Sequence, residues 1–270
     1  DADAMSGVLA GMLDQGAQRF DDAPFASYLF AVNPIPAPPQ GSAVVGTGLH
    51  RSFLLLASEN ADAERLRHTI AHEIVHEWIT RRMGPTDEAS DAQRMWFTEG
   101  ATEYFAWKLQ LAAGLIDTQD FLAGMSDLAS EYLASLVREL PAGELAERIF
   151  ESEEAQRLPY QRGALLAWHW DMLARERGSS LDAVIADLID GNTGQELTDA
   201  RIQAAMARRI GGHFDSDLVR YVVRGQALDP MALTLPGCVV AMPERSGTVR
   251  FAIEEGSSRD TCRAELLGPA

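Results

Sequence analysis

The stretch Ala71-His72-Glu73-Ile74-Val75-His76-Glu77-Trp78 is the part of the sequence around which the rest of the chain is organised. Residues four apart lie on one face of a helix, so His72 and His76 direct both imidazoles to one point. Two imidazoles in this arrangement suit a zinc ion. The Glu73 carboxylate can then hold and deprotonate a water molecule at that ion. The alternative is two surface histidines on an ordinary helix, because the motif alone is only moderately specific.

Helical signals continue on both sides of this motif. Apolar residues recur at four-residue steps from Leu66 to Trp78, which predicts a helix from Ala61 to Arg82. Gly84-Pro85 ends that pattern. A second helix is predicted from about Arg94 to Ala113, so the two should form a helical hairpin.

The second helix supplies a candidate for the third ligand that a catalytic zinc ion needs. Glu99 lies 23 residues after His76, at a distance that a helical hairpin can close. Glu103 follows one turn later on the same face and can accept the free ring N–H of a ligand histidine. The alternative for Glu99 is an ordinary solvated carboxylate. Gly100 directly after it, with aromatic residues on both sides, favours a constrained and partly buried position.

The remaining pattern predicts an α+β fold with a small N-terminal sheet and a mostly helical second half. The strong helix expected at Tyr160–Arg177 is followed by shorter ones up to Arg224. Strands are expected at Phe25–Val32, Ala43–Val45 and Ser52–Ala57, and again in the tail at Val239–Met242, Thr248–Ile253 and Arg263–Leu266. We therefore predict a catalytic domain at 1–230 and a small β-rich extension at 231–270.

Composition excludes several classes of protein. The 270 residues are 46% hydrophobic and 23% charged, which is typical of a folded globular chain. A net charge of −17 argues against binding to nucleic acid or to an anionic membrane surface. No run of 18 apolar residues predicts a membrane span. The first four residues have neither the basic nor the apolar segment of a signal peptide, which leaves open whether one has been removed. Nothing in the sequence indicates an oligomeric state.

The two cysteines, Cys238 and Cys262, both lie in the last 33 residues. A disulfide between them would staple the tail and would indicate a periplasmic or secreted protein. The alternative is a pair of reduced, partly buried thiols in a cytoplasmic protein. The other histidines, at positions 50, 68, 169 and 213, are isolated in the sequence, so we expect surface or structural roles for them.

Taken together, these segments resemble a known family of zinc peptidases. The run from His72 to Trp78, then Arg82 and Pro85, and the run Trp96-Phe97-Thr98-Glu99-Gly100-Ala101-Thr102-Glu103-Tyr104 resemble the glycyl aminopeptidase family, which is related to aminopeptidase N and leukotriene hydrolase. The resemblance implies a thermolysin-like (gluzincin) catalytic domain that hydrolyses peptides with one zinc ion. It also implies that Tyr160, in Tyr160-Gln161-Arg162-Gly163, donates a hydrogen bond to the tetrahedral intermediate. The alternative for Tyr160 is a ring packed on the core near a helix N-terminus.

The sequence departs from the family pattern at the site that binds the substrate's free amino group. Many relatives have a glutamate in a glycine-rich strand before the zinc helix, whereas Gly46-Thr47-Gly48-Leu49-His50-Arg51-Ser52 has none. Ile79 stands where the family often has asparagine, and Arg162 where it has lysine. The sequence therefore predicts a zinc peptidase but leaves exopeptidase and endopeptidase open. The alternative from another class is a non-catalytic binding or scaffold protein that keeps the fold.

Overall fold

The computed structural model describes residues 2–23, 26–49, 51–86, 88–244 and 247–268. The helices are α1 (Ala2–Arg19), α2 (Ala63–Val75), α3 (Glu88–Ala112), α4 (Thr118–Ala134), α5 (Ala142–Arg148), α6 (Glu153–Glu176), α7 (Leu181–Asp190), α8 (Asp199–Ile210), α9 (Gly212–Asp217) and α10 (Arg259–Leu267). A π-helical turn at Leu218–Val223 and a 3₁₀ turn at Pro230–Ala232 complete the helical part. The strands are β1 (Leu29–Ile35), β2 (Val44–Leu49), β3 (Ser52–Ser58), β4 (Val239–Pro243) and β5 (Val249–Ile253). The predicted α+β class is confirmed.

The N-terminal sheet has the strand order β1-β3-β2, so β2 is an edge strand. β1 runs parallel to β3, and β2 is antiparallel to it. The face that presents Phe53, Leu55 and Ala57 of β3 is buried in the core. The prediction that this strand ends at Val45 is wrong, because β2 continues through Gly46, Thr47 and Gly48. The strand lies so close to α2 that a Cβ atom at Gly46 would be 2.7 Å from Glu73 Cγ.

The first helix of the hairpin is shorter than its apolar pattern predicts. α2 ends at Val75, and His76 is its C-cap. Residues 76–83 continue as turns, in which Trp78 N–H donates to Val75 O at 3.0 Å. Thr80 has a φ of 86°, which an α-helix does not accept. The apolar repeat continued to Trp78 because its ring is buried, not because the backbone is helical.

The centre of the molecule is the contact between α3 and α6. A Cβ atom at Gly100 would lie 2.6 Å from the carbonyl carbon of Gly163, and one at Gly163 would lie 2.6 Å from Gly100 Cα. The two backbones therefore touch, as helices do only where both lack side chains. α6 begins at Glu153 rather than Tyr160, since the Ser152 hydroxyl caps it by accepting a hydrogen bond from Ala155 N–H.

A buried charge cluster joins α1, α3, α6 and α7 behind this contact. Lys108 has no solvent exposure and lies 3.0 Å from Asp171 Oδ2 and 2.5 Å from Asp182 Oδ2. Arg19 pairs with Asp182 at 3.0 Å, and Arg175 pairs with Asp171 at 2.6 Å. Because each carboxylate meets two cations, the cluster compensates its own burial.

The C-terminal segment packs onto α4 and α6. The strands predicted at Val239–Met242 and Thr248–Ile253 form β4 and β5, which pair antiparallel, and the Phe251 ring lies 4.9 Å from the Trp168 ring. Phe251 N–H donates to Ser126 Oγ at 2.9 Å, and Ser130 Oγ donates to Val249 O at 3.5 Å. The domain boundary at residue 230 stays a prediction.

The last predicted strand is wrong, and the predicted disulfide is formed. Arg263–Leu266 lies in α10, whose buried side chains Cys262 and Leu266 follow helical spacing. Cys238 and Cys262 are bonded, with Cα atoms 5.3 Å apart. In the described ranges, no helix combines the length and the apolar composition that crossing a bilayer requires.

Candidate metal centre and cleft

The two histidines of the opening motif and Glu99 meet at one point between α2 and α3. Glu99 Oε2 lies 3.2 Å from His72 Nε2 and 3.4 Å from His76 Nε2. Ligand atoms about 2.0–2.1 Å from a tetrahedral zinc ion are separated from one another by about 3.3 Å. Within the described part of the chain, these three residues form a cluster whose ligand atoms all lie within 4.8 Å of one another. The donor set of two imidazoles and one carboxylate therefore fits zinc in both chemistry and spacing.

The electrostatics of this cluster favour a cation at its centre. Burial would raise the pKa of the Glu99 carboxyl, but the neighbouring His76 and His72 hold it well below its usual range. Burial would lower the pKa of His72, yet its hydrogen bonds to Glu103 and Glu99 outweigh this effect and raise the pKa to about 10. The protein thus holds one positive charge between two buried carboxylates.

A hydrogen bond at Nδ1 orients each of the two histidines of the cluster. His72 Nδ1 lies 2.9 Å from Glu103 Oε2. His76 Nδ1 lies 3.5 Å from Thr102 Oγ1, whose own proton goes to Thr98 O at 2.5 Å. A ring that donates from Nδ1 presents the lone pair of Nε2 to a metal ion. Glu103 therefore lies beside His72, and Thr102, which the sequence pattern did not single out, lies beside His76.

Glu73 faces the sheet rather than the ligand carboxylate. Its Oε2 accepts a hydrogen bond of 2.9 Å from the backbone N–H of Gly48 on β2. The absence of side chains at Gly46 and Gly48 lets the edge strand approach closely enough to make this bond. One backbone donor thus fixes the carboxylate at the wall of the cleft.

Tyr160 approaches the cluster from α6. Its ring centroid is 5.5 Å from that of His72, and its hydroxyl group lies close to the Glu99 carboxylate. Burial, followed by the charge of Glu99, raises the pKa of Tyr160 far above its usual range, so the phenol stays protonated. Arg162, two residues on, points elsewhere and donates to Leu140 O at 2.7 Å.

A cleft of about 980 Å³ opens in front of these groups. β2 contributes Val45 to one wall, and α6 contributes Tyr160 to another. Phe150, which is 89% exposed, lies at its rim. The strand segment that lacks the expected amine-binding glutamate forms β2 and its turn, and His50 lies outside the described residues.

Two other histidines have defined partners. His68, which the sequence analysis treats as isolated, lies 2.7 Å from Glu103 Oε1. Its position four residues before His72 was the signal that it shares the ligand face. His169 accepts from Thr234 N–H at 2.8 Å and lies 3.3 Å from Asp217, which agrees with the structural role expected for it.

Residues 65–147 match the M61 glycyl aminopeptidase family. The predicted resemblance is therefore confirmed. The matched segment contains His72, Glu73, His76, Glu99 and Glu103, whereas Tyr160 lies beyond it. No curated protein shows significant similarity to the chain.

Solved structures with the same fold come from two bacteria. An aminopeptidase N family protein from Idiomarina loihiensis is 21% identical, with a TM-score of 0.73 over 90% of this chain and 46% of that one. A mutant M1 zinc metallopeptidase from Deinococcus radiodurans, bound to the substrate Tyr-Ser-Ala, is 21% identical, with a TM-score of 0.53 over 81% of this chain and 44% of that one. The chain spans less than half the length of these structures.

Proposed function

We propose that this chain is a zinc-dependent peptidase with a thermolysin-like catalytic domain at 1–230 and a short C-terminal extension at 231–270. The observation that carries the proposal is the convergence of His72, His76 and Glu99, whose ligand atoms lie within 4.8 Å of one another. Glu73 and Tyr160 line the cleft beside them. The family match at 65–147 and the similar folds support the same function.

The three ligands would hold one zinc ion, which when bound polarises a peptide carbonyl and lowers the pKa of water. Glu73 acts as the general base that takes a proton from the attacking water and later delivers it to the leaving amine. The Gly48 N–H bond keeps this carboxylate in place during both transfers. Tyr160, held protonated by its raised pKa, donates its O–H to the carbonyl oxygen as negative charge develops there.

Two substitutions separate catalysis from folding. Glu73→Gln keeps an oxygen to accept the Gly48 N–H bond but cannot take a proton, so kcat should fall about 10²–10⁴-fold with zinc content unchanged. Tyr160→Phe removes one donor to the oxyanion, so kcat should fall about 10²–10³-fold with little change in KM. Elemental analysis of the purified protein gives the zinc content. A zinc-free protein that takes up no added zinc contradicts the proposal.

The substrate class is decided by a panel of unblocked and N-blocked peptides read by mass spectrometry. Cleavage of unblocked peptides alone identifies an aminopeptidase, and cleavage of blocked peptides identifies an endopeptidase. A zinc-loaded protein that cleaves nothing, with Glu73→Gln indistinguishable from wild type, favours the non-catalytic binding protein. We also propose a periplasmic or secreted location, which the Cys238–Cys262 disulfide supports.

A further inference from the structure

A chain of hydrogen bonds leads away from the ligand His72 to side chains that the proposed mechanism does not use. Glu103 Oε1 lies 2.7 Å from His68 Nε2, and His68 Nδ1 lies 3.0 Å from Gln110 Nε2. Gln110 Oε1 accepts from Arg67 Nε at 3.1 Å. Together with the 2.9 Å bond between Glu103 and His72, these contacts form a continuous series of four.

The donor and the acceptor of each hydrogen bond in this series can be assigned by starting from Arg67 at its outer end. Arg67 can only donate, so the Gln110 oxygen must face it and the Gln110 amide nitrogen must face His68. The same nitrogen also donates to Ala106 O at 3.1 Å, which agrees with this orientation. His68 Nδ1 is therefore an acceptor, and its proton lies on Nε2, from which it is donated to Glu103.

This arrangement of protons also orients His72 through Glu103. Glu103 receives N–H donors on both oxygens, one from His68 and one from His72. A carboxylate held on both sides cannot rotate away, so it keeps accepting from His72 Nδ1 and leaves Nε2 as the nitrogen that can bind a metal ion.

Burial and ring packing hold the side chains of this hydrogen-bonded series in place. Gln110 is 1% exposed and Glu103 8%. The His68 ring packs against the Trp107 ring, with centroids 4.3 Å apart and the planes tilted by 34°. Trp107 in turn is wedged against Gly124 of α4, where a Cβ atom would overlap the indole. Three helices thus fix one imidazole that touches neither a ligand atom nor Tyr160.

We propose that His68 and Gln110 are positioning residues of the zinc site, which act through Glu103 to set the tautomer and the orientation of His72. This inference rests on the proposed function. It gives a role to His68, which lies one helical turn before His72 and is not part of the five-residue zinc motif. Arg67 contributes by setting the orientation of the Gln110 amide.

The test measures zinc affinity by chelator competition, together with the ¹⁵N shifts of the histidine rings in the metal-free protein. His68→Phe keeps an aromatic ring against Trp107 and removes the donor to Glu103, so zinc should bind about tenfold more weakly. His68→Gln should restore most of this loss, because its amide nitrogen can donate from the position of the imidazole Nε2. Gln110→Leu is the second variant should His68→Phe fail to fold, and it should weaken zinc binding in the same direction.

The control is His213→Gln, an exposed histidine on α9, which should leave zinc affinity unchanged. In the wild type, the ¹⁵N shifts should show His68 protonated at Nε2. A His68 proton on Nδ1, or wild-type zinc affinity in both His68→Phe and Gln110→Leu, overturns the positioning role while leaving the peptidase proposal intact. A wild-type protein that binds no zinc overturns the proposed function and the positioning role together.

Discussion

The contact between Gly100 and Gly163 predicts a large effect of a single added methyl group, because the two backbones leave no space for it. Gly100→Ala would place its Cβ 2.6 Å from the Gly163 carbonyl carbon, whereas carbon atoms in contact are normally about 3.5–4.0 Å apart. α3 and α6 must therefore separate by about 1 Å. Both sides of the contact are backbone, so no side chain can rotate to relieve the overlap.

We expect the substitution to lower the free energy of unfolding by about 3 kcal/mol, at the upper end of the usual cost of overpacking. For a chain of this size, that corresponds to a melting temperature lower by about 6–12 °C. The substitution should also lower the peptidase activity. Glu99 lies next to Gly100 and Tyr160 lies on α6, so a shift of about 1 Å between them should cost on the order of 100-fold in peptidase activity.

Urea denaturation followed by circular dichroism measures the first effect, and peptide hydrolysis by the zinc-loaded variant measures the second. Gly143→Ala in α5 is the matched control, because a Cβ there meets nothing within 4 Å. The same chemical change at that exposed helical position should raise stability by about 0.5–1 kcal/mol. An unchanged urea midpoint in Gly100→Ala would refute the reasoning from backbone contact.

Three further predictions concern charge, metal and disulfide. Zinc uptake at pH 8 should release at least about one proton, because the pKa of His72 is raised to about 10 and the ring must lose that proton to bind; a ring with an ordinary pKa of about 6.5 would itself contribute less than about 0.1. Calorimetry in buffers of different ionisation enthalpy measures this number, and a value near zero contradicts the raised pKa. Lys108→Met should lower the free energy of unfolding by about 3 kcal/mol, the low end for a broken buried pair because Arg19 and Arg175 remain. Urea curves test it, with the exposed Arg148→Met expected to be silent. Reduction of the Cys238–Cys262 disulfide, which spans 24 residues, should cost about 3 kcal/mol, and equal urea midpoints with and without reductant would rule this out.

The cluster of His72, His76 and Glu99 was the most predictable part of the molecule because it depends on spacing along helices. His72 and His76 lie four residues apart in one helical pattern, and Glu99 and Glu103 lie four residues apart in the next. Each pair defines one helix face, and a single connecting turn between the helices can bring the two faces together. The positions of these groups could therefore be inferred without knowing how the rest of the chain packs.

The predictions that were wrong or incomplete concern segments whose structure depends on tertiary contacts. Thr80 takes a left-handed backbone after α2, and no local pattern before Gly84 predicts it. Strand β2 runs through Gly46 and Gly48 because α2 lies against it, whereas glycine by itself indicates a turn. Gln110 joins the site by lying two helical turns beyond Glu103, but only the fold shows that Arg67 sets its orientation.

The serine hydroxyls that meet β5 have a consequence for the behaviour of the protein in concentrated solution. A strand at the edge of a sheet exposes backbone groups that can recruit a strand from another molecule and begin aggregation. Here Ser126 accepts the outward N–H of Phe251, and Ser130 donates to the outward carbonyl of Val249. Helix α4 thus occupies two of the backbone groups that a foreign strand would need. Replacing both serines by alanine should leave these two groups open to pairing with such a strand.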